Sequence, residues 1–415
     1  MAESRRHAVG RVRWWAIAAI LTGGVVASAA VSFVALTLHF ARTVVTPPKR
    51  RKDDTNVLAV DDSAETVTLS VSPDAILPGD YGFWFDGESG YARLGEIVDR
   101  TARTVTRRII GVNFGDLASA SSGRFSGWFF LGPSDLDFPF EDVRLQTTVG
   151  LAPAWLIPAR GGSGRWVIQV HGRAASRAET LRAVPLFHEA GFTSLLISYR
   201  NDGDAPSSPD GRYGLGDTEW ADVDAAIKFA LDHGAEDVVL MGWSMGAATV
   251  LQAITRRANA AVRGLVLDSP VVDWVTALDY QAEVLRLPRW LTPGVYAVIS
   301  RRWGRVLTGQ HQPIDLRRLD FVRRADELTL PILLLHSDDD GFVPSTASRA
   351  LAEARPDIVT LEAFQTARHT RLWNYDRDRW ERVITRWLSD HALSDSTPTS
   401  ARIGRSPRRP GVARD

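Results

Sequence analysis

The sequence predicts an α/β protein in which a mostly parallel sheet is covered by helices on both faces. Two observations lead to this prediction. From about residue 143, short apolar runs alternate with amphipathic segments of helical period. The apolar runs are nearly continuous, which is typical of parallel strands buried on both faces. The active crevice of such a sheet lies at the carboxyl ends of its strands.

The elements of this predicted domain, residues 143–391, follow one another in regular order. The strands are the apolar runs, which lie at 143–159 (two strands), 165–172, 193–200, 237–243, 262–268, 330–336 and 358–364. The helices are the segments of helical period or small residues, which lie at 179–191, 218–234, 247–258 and 376–391. A helical stretch rich in Leu, Trp and Arg, residues 275–327, is inserted before the last two strands.

Residues 61–142 are predicted to form a small β-rich module that packs on the main domain. The segment 66–72 alternates apolar and polar residues, and the segments 81–85 and 126–132 are rich in aromatic residues. The segment 104–112 resembles an edge strand. Aromatic strands are more often core elements than walls of a substrate groove, so both roles stay open here.

The N-terminal region predicts a membrane anchor. Residues 14–40 contain no Asp, Glu, Lys or Arg. As a helix rising about 1.5 Å per residue they reach about 40 Å, which exceeds the hydrocarbon core of a bilayer. We therefore predict a transmembrane helix over 14–40. A signal peptide cleaved near Ala27-Ser28-Ala29 and a buried soluble helix are the alternatives.

The charges that flank this predicted span are nearly balanced. Four arginines precede it, whereas Arg42 and the basic cluster 49–52 follow it. The arginines next to the first apolar residue favour a cytoplasmic N-terminus, residues 1–13. The expected localisation is then a single-pass membrane protein whose catalytic domain is extracytoplasmic. Residues 41–60 are predicted to be a linker, and residues 392–415 a disordered basic tail.

Composition excludes several classes of site. The 49 basic and 49 acidic residues cancel, which gives no support to a nucleic-acid-binding surface. The chain has no cysteine, so it has no disulfide, no thiolate zinc site and no cysteine nucleophile. The acidic run 338–340 lacks the spacing of a calcium loop.

Ser244 is the candidate nucleophile. It lies in a G-x-S-x-G sequence, between an apolar strand and a helix. In this context the serine occupies a strained backbone conformation, and side chains at Gly242 and Gly246 would collide with the neighbouring strand and helix. The N-terminal dipole of the following helix then lies near any developing oxyanion. A structural serine in a glycine-rich turn is the alternative.

A serine nucleophile needs a base and an orienting acid, which follow it in the chain. The loop after the strand 330–336 supplies three possible acids, which are Asp338, Asp339 and Asp340. Asp268, after an earlier strand, is a further possibility. Among the histidines, only His311 and His369 lie in predicted loops beyond the serine. Only His369 also follows the acid strand, which favours it as the base.

Together these motifs resemble the α/β-hydrolase superfamily over about residues 143–390, in particular esterases and the dipeptidyl and acylaminoacyl peptidase branch. The matching motifs are His171-Gly172, Gly242 to Gly246, HSDDDGFVP and ARHTRLWN. The resemblance implies Ser244 as nucleophile, Asp340 as acid and His369 as base. Ser337 and Arg368 stand where the family usually has glycine, which leaves Asp338 and Asp339 conceivable as the acid.

The expected mechanism is acyl transfer through an acyl-enzyme, and it requires no metal or organic cofactor. Two backbone N–H groups must stabilise the oxyanion. Met245 is one expected donor, because it follows the nucleophile. Arg173, in the loop after strand 165–172, is the other expected donor, with Ala174 as the alternative.

In the superfamily, an insertion such as 275–327 looks like a lid over the active site, although surface helices without a gating role are equally compatible. An apolar lid and a membrane anchor favour a lipophilic ester or acyl-thioester as substrate. A serine peptidase of the same fold is the first alternative function. A non-catalytic, membrane-anchored scaffold is the second.

Overall fold

The computed structural model describes residue 28 and residues 31–48 and 51–393. They contain a six-stranded barrel followed by an eight-stranded sheet with helices on both faces. The predicted cytoplasmic segment 1–13, residues 14–27, 29 and 30 of the predicted span, and residues 394–415 of the predicted tail lie outside the described residues.

The N-terminal β-rich module is present as a closed antiparallel barrel. Its strands are β1 (Thr55–Asp61), β2 (Thr66–Ser70), β3 (Tyr81–Phe85), β4 (Gly90–Arg100), β5 (Thr104–Phe114) and β6 (Ser122–Ser126). Around the barrel they follow the order β1-β2-β5-β4-β3-β6. Alternate residues of β2 point inward, so Val67 and Leu69 are fully buried and pack with Phe83 and Phe125.

Closure of the barrel corrects two details of the sequence prediction. The segment 104–112 is not an edge strand, because β5 pairs with β2 on one side and with β4 on the other. The aromatic segment 126–132 is not a strand beyond Ser126. Its aromatic side chains instead pack against the α/β domain: Phe129 lies 5.6 Å from Trp373, measured between ring centres. β1 begins at Thr55, within the segment predicted as a linker.

The larger sheet has the predicted α/β architecture. Its strands are β7 (Glu141–Thr147), β8 (Gly150–Ile157), β9 (Arg165–Val170), β10 (Thr193–Ile197), β11 (Asp237–Trp243), β12 (Val262–Asp268), β13 (Ile332–Ser337) and β14 (Val359–Phe364). Their order is β14-β13-β12-β11-β9-β10-β8-β7. The pairs of β8 with β7 and with β10 are antiparallel, and the other pairs are parallel.

The helices cover both faces of this sheet. They are α1 (31–45), α2 (Val184–Glu189), α3 (Trp220–Asp232), α4 (Met245–Arg256), α5 (Trp274–Val284), α6 (Thr292–Ser300), α7 (Gly304–Thr308), α8 (Thr346–Ala354), α9 (Leu372–Tyr375) and α10 (Arg377–Asp390). Successive residues of β11 enter opposite cores, Leu240 on one face and Val239 and Met241 on the other. This two-sided burial explains the continuous apolar runs in the sequence.

The predicted single-pass localisation is contradicted. Within residues 31–48 and 51–393, no helix has the length and apolar character that crossing a membrane requires. The part of the predicted span that is described belongs to α1, which packs on protein. Phe33 contacts Trp290 with their ring centres 5.1 Å apart, Arg42 Nε donates to the carbonyl of Leu307 at 2.7 Å, and Ala41 is fully buried. Phe33 therefore has a partner in the protein itself, whereas Val31 and Val34 are exposed.

Candidate active site

Ser244 lies between the end of β11 and the start of α4, at the carboxyl edge of the sheet. Its backbone has φ 52° and ψ −116°, which is a sparsely populated conformation for a residue with a side chain. The backbone around it is held from the neighbouring strand, because Ser244 N–H donates to the carbonyl of Asp268 at 3.0 Å. The residue is 5% exposed. These features describe a strained strand-to-helix turn that presents one hydroxyl.

Two glycines permit this turn. A Cβ on Gly242 would lie 2.6 Å from Cα of Ala247, in the helix that follows. A Cβ on Gly246 would lie 2.3 Å from the carbonyl oxygen of Val170, at the end of β9. Neither position has room for a side chain, so α4 can leave the sheet only with glycine at both.

The structure brings Ser244, His369 and Asp340 together in one hydrogen-bonded line. Ser244 Oγ lies 2.9 Å from Nε2 of His369, and His369 Nδ1 lies 2.7 Å from Oδ2 of Asp340. The three residues come from three loops at the carboxyl ends of β11, β13 and β14. Nδ1–H donates to the carboxylate, so Nε2 is free to accept the proton of the serine hydroxyl.

Asp340 is held as a carboxylate. Its Oδ1 accepts the backbone N–H groups of Phe342 and Val343, both at 2.8 Å. Burial raises the pKa of Asp340, but the charges and hydrogen bonds of His369 and His336 lower it further, so this pKa lies below its usual range. An ionised acid at this position fixes the tautomer of His369.

The other acids and the other loop histidine do not contact His369. Asp338 forms an ion pair with Arg349 at 2.7 Å. Asp339 lies beside Arg368 at 3.4 Å, and Asp268 accepts from Trp380 Nε1 at 2.9 Å. His311 lies elsewhere, where its backbone N–H donates to Asp210.

Sequence reasoning missed two residues that support this line. His336 is buried, and its Nε2 lies 3.3 Å from Oδ2 of Asp340. A signal for His336 was present in the sequence, because this histidine lies only four residues before the acid. Ser269 Oγ accepts the backbone N–H of Thr370, next to His369, at 3.0 Å. No local pattern in the sequence indicates that contact, because it joins residues that are distant along the chain.

The two predicted oxyanion donors flank Ser244. Met245 is the first residue of α4, and the loop after β9 comes so close that a Cβ on Gly172 would lie 3.3 Å from Cβ of Ser244. Within the described chain, the N–H groups of Met245 and Arg173 donate to no other residue. The alternative donor, Ala174, is already engaged, because its N–H donates to Oη of Tyr213 at 3.2 Å.

Gly172, which precedes Arg173, is held through both its N–H and its carbonyl. Gly172 N–H donates to buried Glu179 at 2.8 Å, and the Gly172 carbonyl accepts from Tyr199 Oη at 2.9 Å. The Arg173 side chain turns away from Ser244 and donates to three carbonyls in the segment 43–46, at 2.9 to 3.1 Å. These contacts of Gly172 and of the Arg173 side chain fix the direction of the Arg173 backbone N–H.

Asp202 stands behind this loop. It is 4% exposed and accepts a short hydrogen bond from Tyr213. Burial raises the pKa of Asp202 to about 7, against the lowering effect of hydrogen bonds from Tyr213 and Tyr199; nearby Glu219 raises it and Arg173 lowers it.

We expect Asp202 to make the folded state less stable as pH rises from 5 to 8. Between the unfolded pKa, about 4, and the folded pKa, the native protein holds a proton that the unfolded chain has lost. Stability therefore falls with rising pH, by up to about 1.4 kcal/mol per pH unit. Urea unfolding of wild type and Asp202→Asn at several pH values measures this, because the variant lacks the titrating group. A constant difference between them across pH 5 to 8 would contradict it.

A model of the alpha/beta hydrolase family matches residues 167–386, and a model of a domain of unknown function (DUF8805) matches residues 56–126, which is the barrel. An esterase of Pyrococcus furiosus is similar in structure, with a TM-score of 0.49 and 20% identity, over 63% of this chain and 94% of that one.

Sequence relatives cover the same region. Uncharacterized protein YfhR of Escherichia coli is 27% identical over 268 residues, which are 63% of this chain and 81% of that protein. Uncharacterized protein YqkD of Bacillus subtilis is 22% identical over 56% of this chain and 72% of that protein. Human protein ABHD12B is 26% identical over 51% of this chain and 55% of that protein. Because the family model spans more than half of the chain and coincides with the sheet that carries Ser244, this protein belongs to the alpha/beta hydrolase family.

Proposed function

We propose that this protein is a serine hydrolase of carboxylic ester or acyl-thioester bonds, with Ser244 as nucleophile, His369 as base and Asp340 as acid. The observation that carries the proposal is the unbroken line of hydrogen bonds from Ser244 Oγ through His369 to Asp340. A serine hydroxyl is a weak nucleophile until a base removes its proton. A scaffold without catalysis has no physical need for a strained serine, a correctly oriented imidazole and an ionised acid together.

The first half-reaction forms an acyl-enzyme. Ser244 Oγ attacks the carbonyl carbon while His369 Nε2 takes the hydroxyl proton, and the C=O electron pair moves onto the oxygen. The backbone N–H groups of Met245 and Arg173 donate to that oxyanion. When the intermediate collapses, the protonated His369 gives its proton to the leaving alcohol or thiol. Asp340 stabilises the imidazolium throughout.

The second half-reaction releases the acid. Water takes the place of the leaving group, and His369 removes one of its protons as the oxygen attacks the acyl carbon. The same two N–H groups stabilise the second oxyanion. His369 then returns the proton to Ser244 Oγ, and the carboxylic acid leaves. The enzyme is restored without any other reactant.

We propose a lipophilic, lipid-like acyl ester or thioester as substrate and a lid role for the insertion 275–327. The ring centre of Phe342 lies 5.2 Å from that of His369, and Phe342 is 43% exposed. Gln281 of α5 donates to the carbonyl of Phe342 at 2.5 Å, which connects the insertion to the site. The same insertion exposes Leu285 and Trp290. An exposed aromatic ring beside the base favours an apolar acyl chain over a charged one.

Labelling with a fluorophosphonate probe tests the proposal. The wild type and His311→Ala should be labelled, whereas Ser244→Ala and His369→Ala should not. His311→Ala is the matched control, because His311 is the other loop histidine and lies outside the site. We expect kcat for a p-nitrophenyl acyl ester to fall by about 10⁵- to 10⁶-fold in Ser244→Ala.

A substrate panel then separates the possible activities. Esters and acyl-thioesters of increasing chain length should be hydrolysed faster than an aminoacyl amide. Preference for the amide would overturn the ester assignment in favour of a peptidase. A folded wild type that neither takes the label nor hydrolyses any of these substrates would overturn catalysis itself.

A further inference from the structure

The barrel docks on the same segment that carries His369. Asp80 N–H donates to the carbonyl of Asn374 at 3.1 Å, and Asn374 Nδ2 donates back to the carbonyl of Asp80 at 2.8 Å. The approach is close, because a Cβ on Gly79 would lie 2.0 Å from that Asn374 carbonyl oxygen. The barrel therefore makes a specific backbone contact with the chain just beyond the candidate base.

A barrel carboxylate also reaches both sides of His369. Asp74, in the turn between β2 and β3, lies 2.7 Å from Nη1 of Arg371 and 3.7 Å from Nε of Arg368. Arg368 is the residue before His369. It also lies 3.4 Å from Asp339, the residue before Asp340. One carboxylate of the barrel thus contacts the histidine loop on both sides and, through Arg368, the acid loop.

Two arginines of the α/β domain link the end of β6 to the same loop. Arg371 Nη2 donates to the carbonyl of Phe125 at 3.0 Å. Arg182, which is 1% exposed, donates to the carbonyls of Gly127 and Thr370, at 3.0 and 2.7 Å. Thr370 needs such support, because its φ of 53° is unfavourable for a residue with a side chain.

The turn that carries Asp74 is itself rigid. Arg107 lies inside the barrel with no exposed surface, and its guanidinium donates to the carbonyls of Ala75, Leu77 and Gly79, at 3.0, 2.8 and 2.5 Å. The same side chain holds β4 through the carbonyl of Gly95 at 2.9 Å. A carboxylate on a turn fixed in this way can set the position of its partners.

We propose that the barrel is a working part of the catalytic site, and that Asp74 is a positioning residue that holds His369 in line with Ser244 through Arg371 and Arg368. This role rests on the proposed function. It gives the barrel a purpose that a merely adjacent domain would not have. The contacts join the turn after β2 and the end of β6 to the loop that carries His369. That loop must hold the imidazole within a fraction of an ångström of its place for proton transfer.

The test compares Asp74→Asn with Glu96→Gln in the full-length protein. Both remove one barrel carboxylate, but the ion pair that Glu96 forms among the described residues is with Arg108 on the barrel itself, at 3.2 Å. Active sites are counted by fluorophosphonate titration, so that kcat refers to competent molecules. We expect kcat to fall by about 10- to 100-fold in Asp74→Asn, because small misplacements of a catalytic group have effects of this size. The KM of Asp74→Asn should stay close to that of wild type. Both kcat and KM of Glu96→Gln should also stay close to the wild-type values.

Two further measurements distinguish positioning from a general loss of structure. Arg371→Gln breaks the main contact from the other side, and adding Asp74→Asn to it should lower kcat little further, since both act through one ion pair. The downfield proton resonance of His369 Nδ1–H should weaken or shift in Asp74→Asn and not in Glu96→Gln. This readout needs no turnover.

The proposal is overturned if kcat per titrated site and the His369 resonance in Asp74→Asn equal those of wild type. It is also overturned if Asp74→Asn lowers only the melting temperature or the fraction of titratable sites. If Asp74→Asn does not fold, the same measurements are made on Arg371→Gln. The proposal is then overturned if kcat per titrated site and the His369 resonance are unchanged, or if only stability is lowered. Failure of the proposed function has a different signature, which is a folded wild type that takes no fluorophosphonate label.

Discussion

Replacing Asp340 with asparagine should lower kcat for ester hydrolysis by about 10⁴-fold, as expected when the acid of such a triad is neutralised without a change of shape. Asparagine can still accept from Phe342 and Val343 through its oxygen, so the loop should keep its conformation. The NH2 group of the asparagine, however, takes the place of Oδ2 and cannot accept the Nδ1–H of His369. The imidazole then loses the tautomer that leaves Nε2 free for the serine proton.

The matched control for this prediction is Asp338→Asn. Asp338 is another acid of the same run and competes for the role in the sequence, but its carboxylate pairs with Arg349 and accepts from Ser345, on the side of α8. We expect its kcat to stay within about twofold of wild type, because exposed ion pairs contribute little. Stopped-time assays of a p-nitrophenyl ester, normalised to titrated sites, measure both variants. If Asp338→Asn had a lower kcat than Asp340→Asn, then Asp338, and not Asp340, would be the acid of the triad.

Introducing a single methyl group at Gly246 should disrupt the site and destabilise the domain. The Cβ would lie 2.3 and 2.4 Å from the carbonyl oxygens of Val170 and His171. These are backbone atoms at the end of β9, so no side-chain rotation can relieve the clash. We expect Gly246→Ala to lower the free energy of unfolding by about 4 kcal/mol or more, and the melting temperature by about 10 °C.

Activity should fall with stability in this variant, because the residues after β9 carry the predicted oxyanion donor Arg173. Gly132→Ala is the control: its φ is −151°, and the nearest atom to a new Cβ is Oγ of Ser134 at 3.6 Å. That substitution should change the free energy of unfolding by about 0.5 kcal/mol or less. Thermal melts and fluorophosphonate labelling of both variants measure the effect. A Gly246→Ala protein that melts like wild type would show that α4 can shift away from β9 at little cost.

Much of the fold could be predicted because its signals are local. The apolar run at 237–243 becomes β11 because it is buried on both faces, and the glycines beside Ser244 mark a turn without room for side chains. His369 could be selected because the triad order along the chain leaves few histidines. The membrane span was wrong for an equally physical reason. Hydropathy reports how apolar the segment 31–40 is, but not whether its side chains enter lipid or pack on protein, as Phe33 packs on Trp290.

By itself, the sequence determined the α/β class, the elbow at Ser244 and the two loops that supply an acid and a base, because these depend on neighbouring residues. The family resemblance implied Asp340 as the acid, but only the tertiary structure shows which of the three consecutive aspartates faces His369. That choice depends on the path of a tight turn, where a change of one residue reverses the direction of a side chain. It also revealed Asp74 beside the histidine loop, since β-turn and loop meet only when the barrel docks. Contacts between distant segments leave no periodic signal in one chain.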